Sequence, residues 1–186
     1  MTPRCTHIPK GDAARQAAAV AATVPVLETE RLRLRPPTLA DLPPWTSLLE
    51  SDEKGHLGGP FDAEAAFESF CVYVAGWMLH GHGLWSVEDH AGTLLGFVHL
   101  GLEWEDDAPE IGWLFLPEHR GKGVATEAAS AVRDHALRLL GPGQAVSYVA
   151  SDNHASNRLA VRLGATRESG APYGPEVILW RHGGSA

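Results

Sequence analysis

The pattern of apolar and polar positions predicts a chain that mixes strands and helices. Between Val26 and Arg35, leucines alternate with arginines, which indicates a strand with one buried and one solvated face. A turn at 89–92 indicates that the strands on either side of it pair antiparallel. The two-residue period, or a short apolar run bounded by turn residues, predicts five further strands, at 84–88, 93–100, 110–116, 145–150 and 177–180.

Apolar residues at steps of three and four predict four helices between these strands. The first begins at Thr38 and Asp41, which are spaced like a capping box. The last two helices cover 124–140 and 153–163, and each ends at a glycine. Asp62 is placed to cap the second helix, whose apolar stripe is predicted to lie in the core: Phe67, Phe70, Cys71, Val74, Trp77 and Met78.

A single domain is expected over residues 25–186, because the chain shows neither an internal repeat nor a second apolar core. Residues 1–24 are predicted to form a flexible, partly helical extension. Their alanine-rich stretch is too weakly apolar to favour a secretory signal.

Composition narrows the classes of function. The chain has 186 residues, and 15 lysines and arginines against 23 aspartates and glutamates give a net charge of −8, which excludes a generally basic nucleic-acid coat. Cys5 and Cys71 are too few for a disulfide framework, and the ten histidines lack ligand spacing, so no metal is expected. No apolar run reaches the roughly 20 residues of a membrane span. We therefore expect a cytoplasmic protein with neither a nucleic-acid nor a membrane partner.

Residues 114–126 carry the clearest chemistry, because a strand there enters a helix through two glycines with almost no loop. The first turn of a helix leaves its amide groups unpaired and carries about half a positive charge, so these donors converge on an anion. Gly121 and Gly123 let a phosphate approach the backbone, while Arg120 and Lys122 add positive charge. The spacing differs from a Walker loop and from a dinucleotide-binding glycine motif. The turn therefore predicts a pyrophosphate site.

Four segments, in order along the chain, resemble a known family. Arg120-Gly-Lys-Gly-Val-Ala125 matches Arg-x-x-Gly-x-Ala and resembles the pyrophosphate loop of the GCN5-related N-acetyltransferases (GNAT). Leu27-Glu-Thr-Glu-Arg-Leu-Arg-Leu-Arg35 and Pro109-Glu-Ile-Gly-Trp113 are similar to the first and fourth strands of the RimJ/RimL-like branch, the ribosomal-protein alanine acetyltransferases. Asn153-His-Ala-Ser-Asn157, with Leu163-Gly-Ala165, is similar to the helix after that branch's fifth strand.

The resemblance implies an α/β (α+β) fold. It consists of a mixed, mostly antiparallel sheet of six to seven strands that splays between its fourth and fifth strands, flanked by about four helices. Acetyl-CoA, the co-substrate, lies in that opening, and its pantetheine arm pairs with the fourth strand. Independently of the family, an extended arm with amide groups is able to add to a free strand edge. The residues that the resemblance assigns to acetyl-CoA are Phe115, Arg120, Gly121, Lys122, Gly123, Val124, Ala125, Thr126 and Asn153.

Acetyl transfer also needs a base. An alkylamine with a pKa of about 10 is mostly protonated at neutral pH, so it must lose a proton before it attacks a thioester. Glu110, at the start of the fourth strand, is the first candidate. Glu103 and His99 are the alternatives, although a lone strand histidine is more often a half-buried sheet residue.

The leaving thiolate needs a proton donor. Many members of the family use a tyrosine near the helix after the fifth strand, but residues 151–169 contain none. Ser156 is the nearest hydroxyl in the motif, and Tyr148 and Tyr173 are weaker alternatives.

These features predict an N-acetyltransferase that moves the acetyl group of acetyl-CoA directly to a primary amine, on a protein N-terminus or a small molecule. A degenerate acyl-CoA-binding sensor or interaction module is the alternative, which the missing tyrosine favours, and an unrelated phosphate binder is a third. The acidic run Glu103-Trp-Glu-Asp-Asp107 is either a solvated hairpin tip or an attractor of a cationic acceptor. The sequence leaves a homodimer open.

Overall fold

One sheet of eight strands organises the part of the chain that the structure describes, residues 3–52, 55–59 and 61–184. The structure is a computed structural model. Across the sheet the strands follow the order β1-β2-β3-β4-β5-β6-β8-β7. Their bounds are β1 (Leu27–Glu28), β2 (Leu32–Arg35), β3 (Leu84–Asp89), β4 (Leu94–Gly101), β5 (Glu110–Phe115), β6 (Ala145–Ala150), β7 (Thr166–Glu168) and β8 (Val177–His182).

Neighbouring strands pair antiparallel, except β5 and β6, which run parallel. The parallel pair is joined at one register position, Glu110 with Val146, whereas every residue of β5 pairs with a residue of β4. Beyond that position β5 and β6 diverge. The predicted splay between the fourth and fifth strands is therefore confirmed, and it lies between β5 and β6.

Helices cover both faces of this sheet. They are α1 (Gly11–Ala21), α2 (Leu42–Glu50), α3 (Ala63–Leu79), α4 (Val124–Leu140) and α5 (His154–Arg162), with short 3₁₀ helices at Arg4–Thr6, Leu39–Asp41 and Pro117–His119. Two predicted caps are present. Asp62 accepts a hydrogen bond from the Ala65 amide at 2.9 Å, and Asn153 accepts one from the Ser156 amide at 3.2 Å.

The described residues contain more elements than the six to seven strands and about four helices expected. Residues 26–35, predicted as one strand, form a hairpin in which Leu27 of β1 pairs with Leu34 of β2. The chain reverses there because Thr29 Oγ1 accepts a hydrogen bond from the Leu32 amide at 3.0 Å, and the Thr29 amide donates to the Leu32 carbonyl at 2.9 Å. β7 is too short and polar for a strand pattern, and α1 is the additional helix.

The core lies on both faces of the sheet. On one face α4 buries the residues that recur every four positions, Val124, Ala128, Val132 and Ala136, as the pattern predicts. On the other face α2 and α3 pack against the sheet around Trp45, which is 1% exposed and meets the rings of Phe70 and Phe97 edge-on. The sheet is thus the middle of three layers.

The predicted core stripe of α3 is partly wrong. Phe70 is buried and Trp77 is partly buried, but Cys71 is exposed and Met78 is 77% exposed. Cys71 and Met78 each follow a packed residue by one position, which turns them about 100° around the helix axis. Apolar residues surround α3, so their spacing did not show which side meets the sheet.

The segment that precedes the sheet adds little to this core. None of the residues of α1 is buried, and Val24 is the first buried apolar residue in the described chain. Trp85 Nε1 donates a hydrogen bond to the Pro25 carbonyl at 2.8 Å, which ties the chain to the core just before β1. The division into residues 1–24 and 25–186 stays a prediction, and residues 1, 2, 185 and 186 lie outside the described chain.

Candidate active site

The edge of β5 that faces β6 presents backbone groups to the opening. The Leu116 amide donates to the Leu95 carbonyl at 3.0 Å. With the register of the strands, this bond identifies which residue pairs of β4 and β5 are hydrogen-bonded to each other. In an antiparallel pair every second residue points its backbone groups away from the partner strand. In β5 these residues are Ile111, Trp113 and Phe115, so their amide and carbonyl groups point toward β6.

Side chains bind two of these carbonyls. Ser147 Oγ donates to the Ile111 carbonyl at 2.6 Å, and Arg120 Nε donates to the Phe115 carbonyl at 2.8 Å. Trp113 lies between these two positions. Its backbone groups therefore form the part of the β5 edge most suited to an extended ligand.

The Trp113 side chain connects β5 to α5 and to the core beside β6. Its indole packs against the cluster that contains Leu159 of α5 and against the cluster that contains Val149 of β6. Trp113 Nε1 also donates a hydrogen bond to Ser156 Oγ at 3.2 Å. The ring thus links β5 to the start of α5.

The turn between β5 and α4 leaves amide donors free to bind an anion. Gly121 and Gly123 adopt left-handed conformations, with φ angles of 74° and 80°, which residues with a β-carbon rarely take. Gly123 is the N-cap of α4 and no side chain caps it, so the first amides of the helix keep their hydrogen-bonding capacity. The positive end of the helix dipole adds to their attraction for an anion.

Glu127, in the first turn of α4, ties this turn to the β1–β2 hairpin. Its carboxylate accepts hydrogen bonds from Thr29 Oγ1 at 2.6 Å, from the Arg31 amide at 2.9 Å and from Arg31 Nε at 2.6 Å. Arg31 Nη1 also donates to the Lys122 carbonyl at 3.2 Å. Burial alone would raise the pKa of Glu127, but these hydrogen bonds together lower it. Arg31 therefore compensates a negative charge that lies beside the predicted anion site.

Two cavities meet at the splay. One, of about 1140 Å³, follows the 117–127 turn and α5. The other, of about 1100 Å³, lies between α3, the segment after β4 and the exit of β6. Six residues line both cavities: His56, Leu57, Trp113, Leu114, Asn153 and Ser156. Ligands bound on the two sides would meet beside Trp113, Asn153 and Ser156.

Glu110 lies on the second cavity, and its side chain is 17% exposed. Its Oε1 accepts a hydrogen bond from the Tyr148 amide at 3.3 Å, and its Oε2 lies 3.6 Å from His99 Nε2. The second distance is too long for a hydrogen bond. The carboxylate therefore keeps an oxygen that can accept a hydrogen bond from a ligand or a water.

His99 lines the same cavity while its ring is almost fully buried, at 5% exposure. The ring stacks on Tyr73 with 4.4 Å between centroids, and a β-carbon at Gly112 would collide with it. Neither ring nitrogen has a hydrogen-bond partner among the residues described. An unsatisfied buried polar group costs on the order of 1–3 kcal/mol, so we expect a ligand or water to supply the partner.

Tyrosine hydroxyls bind two of the other carboxylates at this cavity. Tyr73 Oη donates to Glu103, and Tyr173 Oη donates to Asp106 at 2.6 Å. Burial and these neighbouring carboxylates raise the pKa of both tyrosines, so both stay protonated at neutral pH. The Tyr148 ring meets Tyr173 edge-on at 5.0 Å. The tyrosines thus act here as hydrogen-bond donors and aromatic walls.

The Ser156 hydroxyl lies at the junction of the cavities and makes one hydrogen bond there. Its Oγ accepts the hydrogen bond from Trp113 Nε1, which leaves the hydroxyl hydrogen free to be donated. Its amide donates to Asn153 Oδ1, so Asn153 acts as the N-cap of α5. The local sequence predicts this cap, whereas the contact with Trp113 depends on the tertiary fold.

Comparison with known proteins decides the family. Residues 31–166 match the family described as the acetyltransferase (GNAT) domain, and this range includes the turn, β5 and α5. The chain belongs to the GNAT acetyltransferase family. Membership implies acetyl-CoA as the acetyl donor and an amine as the acceptor, and this GNAT chain is accordingly an N-acetyltransferase enzyme.

Individual GNAT relatives agree with this assignment. The uncharacterized N-acetyltransferase YoaA of Bacillus subtilis (strain 168) is 29% identical over 167 residues, which are 82% of this chain and 94% of YoaA. The crystal structure of an acetyltransferase from Agrobacterium tumefaciens C58 is 34% identical, with a TM-score of 0.80 over 86% of this chain and 94% of that one. The RimL ribosomal L7/L12 α-N-protein acetyltransferase in complex with coenzyme A shares the fold, with a TM-score of 0.68 and 17% identity over 85% of this chain and 97% of its own.

The structure brings most of the residues predicted for this GNAT site to one of the two cavities. Phe115, Arg120, Gly121 and Gly123 to Thr126 line the first cavity, and Asn153 lines both. Glu110 and its alternatives Glu103 and His99 line the second, with Ser156, Tyr148 and Tyr173. Lys122 is exposed and does not line the first cavity, and the described contact at this residue is its carbonyl accepting Arg31.

Sequence reasoning missed several residues that shape the site. Tyr73 lies on α3, outside the apolar stripe predicted for that helix. Thr29, Arg31 and Glu127 belong to segments far apart in the sequence, so no local spacing joined them. The signal that could have found them is the surplus of polar residues in a hairpin and a first helical turn that otherwise bury leucine and valine.

Metal-binding groups and membrane-spanning helices can be described only for the residues given above. Within residues 3–52, 55–59 and 61–184, no group of three histidine, cysteine, aspartate or glutamate side chains is placed to hold a metal ion. His82 instead forms a buried hydrogen bond between Nδ1 and the Leu100 carbonyl at 2.7 Å. Among the helices in those ranges, none combines the length and apolar character needed to cross a membrane.

Proposed function

We propose that this chain transfers the acetyl group of acetyl-CoA directly to a primary amine, on a protein N-terminus or a small molecule. The observation that carries the proposal is the meeting of two cavities at Trp113, Asn153 and Ser156, with Glu110 on the second cavity. The amine nitrogen bonds to the thioester carbonyl carbon, the carbon–sulfur bond breaks, and CoA leaves as a thiol after gaining a proton. Each side chain below serves one part of this exchange.

Acetyl-CoA is proposed to bind along the first cavity. The amides of residues 123–126 and the backbone around Gly121 hold its pyrophosphate, because they form an uncapped helix start with open glycines. The pantetheine arm pairs with the β5 edge at Trp113, between the carbonyls of Ile111 and Phe115 that side chains already bind. Asn153 and Arg120 border the same cavity.

Glu110 is proposed as the base. A protonated amine must lose its proton before attack, and Glu110 Oε2 is available to accept it directly or through a water. His99 lies 3.6 Å from this oxygen and holds unpartnered ring nitrogens, so it is placed to position the same water or amine. Glu103 is the less suitable base, because its carboxylate already accepts the Tyr73 hydroxyl.

Ser156 is proposed to donate a proton to the departing sulfur. Its oxygen accepts from Trp113, so its hydrogen points elsewhere, and the residue lines both cavities. A thiol with a pKa of about 8.5 needs only modest help to leave, so a hydroxyl that relays a proton from water is sufficient.

The branch of the family and the cellular location are also part of this proposal. The resemblance of the β1–β2 segment, β5 and α5 to the RimJ/RimL-like branch supports membership of that branch, and the fold shared with RimL agrees with it. The exposed, unpaired thiols of Cys5 and Cys71 fit a reducing cytoplasm.

Release of free thiol from acetyl-CoA, measured over a panel of amines and N-terminal peptides, tests the proposal. We expect acetyl-CoA to raise the melting temperature and at least one amine class to release thiol with matching acetylated product. Thermal protection without turnover on any acceptor would assign the chain to the acyl-CoA-binding sensors. Absence of both would point to a different phosphate ligand.

A further inference from the structure

The second cavity, which Glu110 lines, is where the amine acceptor is proposed to bind, and we call it the acceptor cavity. Its charged residues indicate which amine it binds, and this inference rests on the acetyl transfer proposed above. We propose that the acceptor is a small dication, in which the reacting amine lies at Glu110 while a second ammonium or guanidinium group binds Glu103 and Asp106.

Glu103, Asp106 and Glu110 line one cavity of about 1100 Å³. Among the described residues that line it, none is a lysine or an arginine. Elsewhere in the described chain, the part-buried carboxylates of Asp41, Glu88 and Glu127 each pair with an arginine. Glu103 is exposed and Asp106 and Glu110 are half-buried, and none of the three pairs with a lysine or an arginine among the described residues.

The chain instead orients two of these carboxylates with neutral donors. Tyr73 donates to Glu103, and Tyr173 donates to Asp106. The Glu103 amide also donates to Asp106 Oδ2 at 2.7 Å, which places both residues on one turn. Neutral donors fix the direction of a carboxylate without cancelling its charge, so the negative potential stays available to a ligand.

His99 is a second, independent sign that a ligand with polar hydrogens or lone pairs occupies this cavity. Its side chain is more than nine-tenths buried, its ring is held by stacking on Tyr73, and both ring nitrogens lack a partner among the described residues. The unpartnered ring lies at the wall of the cavity, with Nε2 3.6 Å from Glu110 Oε2.

The reaction leaves a role for a second charge on the acceptor. The reacting amine gives up its proton before attack, so it no longer compensates any carboxylate at the step that matters. A distant ammonium keeps its charge throughout and binds equally before and during transfer. Burial, and to a smaller extent the charge of Glu110, raise the pKa of Asp106.

Aromatic rings complete the site for a cation. Tyr148 and Tyr173 stand edge-on to each other beside Asp106, and Trp104 on the same segment is fully exposed. Ring faces attract ammonium and guanidinium groups, and they do so most strongly where water is excluded. A cavity with carboxylates and aromatic walls therefore favours a dication over a neutral chain of the same length.

The test compares acceptors with and without the second amine. Initial rates with acetyl-CoA are measured for 1,4-diaminobutane against 1-aminobutane, and for a peptide with lysine at its second position against the norleucine peptide. We expect kcat/KM to favour the charged member of at least one pair by roughly tenfold, the effect of one charge-assisted contact. The pair that shows the preference identifies the source of the dication.

Two variants test where the second positive charge of the acceptor binds. Glu103→Gln keeps an oxygen acceptor for Tyr73, and Asp106→Asn keeps one for Tyr173 while it loses the acceptor of the Glu103 amide. Both residues lie on a surface turn, so we expect both variants to fold and to retain thermal protection by acetyl-CoA. Each should reduce the dication preference to about twofold or less through a higher KM for the dication, with the uncharged acceptor nearly unaffected. Glu105→Gln, at an exposed neighbour outside the cavity, is the matched control and should keep the full preference.

The outcomes separate this inference from the function on which it rests. Equal rates for charged and uncharged acceptors, or a preference that survives in both variants, would overturn the dication while leaving acetyl transfer intact. Failure of the wild-type protein to release thiol with any amine would contradict the transfer reaction itself.

Discussion

Glu127 and Arg31 join two parts of the fold that lie 96 residues apart in the chain. The Arg31 guanidinium and amide both donate to the Glu127 carboxylate, and Arg31 also binds the carbonyl of Lys122 inside the predicted pyrophosphate turn. The β1–β2 hairpin thereby fixes the start of α4 from outside the cavity. This contact neutralises the carboxylate nearest to the uncapped helix amides.

Replacing Glu127 with glutamine removes the charge but keeps a side-chain oxygen for Thr29. We expect Glu127→Gln to raise the KM for acetyl-CoA roughly tenfold with a smaller change in the acceptor KM, since a lost charged hydrogen bond costs about 1.5 kcal/mol. Steady-state kinetics in both substrates provide the measurement. Glu118→Gln, at an exposed carboxylate of the same turn, should behave as wild type. A lower melting temperature with an unchanged acetyl-CoA KM would show that the contact serves stability alone.

Substitution of Glu110 tests the proposed base. We expect Glu110→Gln to lower kcat/KM by about 10²–10⁴-fold, the usual contribution of a positioned base, with acetyl-CoA affinity preserved. The loss should shrink as pH rises, because more of the amine is then already deprotonated. Glu105→Gln is the matched control outside the cavity. Full activity of Glu110→Gln across the pH range would exclude Glu110 as the base.

Ser156→Ala tests the proton donor at the junction of the cavities. We expect kcat to fall by roughly tenfold, because the leaving thiolate is weakly basic and water partly replaces the hydroxyl. The Kd for acetyl-CoA, measured by titration calorimetry, should change little, which separates chemistry from binding. Ser169→Ala, at an exposed serine, should match the wild type. An unchanged kcat would remove Ser156 from the mechanism.

Arg35 and Asp41 form a buried ion pair that supports the α2 side of the core. Arg35 donates to both Asp41 oxygens, at 2.8 and 2.9 Å, and Ser86 Oγ donates at 3.0 Å. We expect Asp41→Asn to lower the free energy of unfolding by about 2–3 kcal/mol, somewhat less than a fully broken buried pair because Arg35 keeps Glu88. Denaturant unfolding gives this value.

The effect should depend on pH. Burial alone would raise the pKa of Asp41, but the hydrogen bonds from Arg35 and Thr38 lower it below its usual value of 3.8. A lowered native pKa means that the stabilisation is complete above about pH 4 and is lost as pH falls through the native pKa. The wild-type and Asp41→Asn proteins should therefore converge in stability in strong acid. Glu28→Gln, which loses a surface pair with Arg33, should cost less than about 0.5 kcal/mol at any pH.

Local patterns in the sequence were enough for the parts of this protein that depend on near neighbours. Alternation predicted β3 to β6 and β8 within a few residues, and the capping residues Asp62 and Asn153 predicted where α3 and α5 begin. The paired glycines at 121 and 123 predicted the turn into α4, because the left-handed backbone and the unpaired amides are properties of that short stretch.

The acceptor cavity and the contact between the β1–β2 hairpin and α4 depend on residues far apart in the sequence, and no local pattern predicts them. Tyr73 on α3 meets His99 on β4 and Glu103 beyond it, and Thr29 reaches Glu127 across 98 residues of chain. Apolar spacing along α3 left the orientation of the helix open, so it placed Cys71 and Met78 in the core although both are exposed. Hydrogen-bond partners and helix orientation arise only when the sheet brings distant segments together, since burial and pairing are properties of the packed chain.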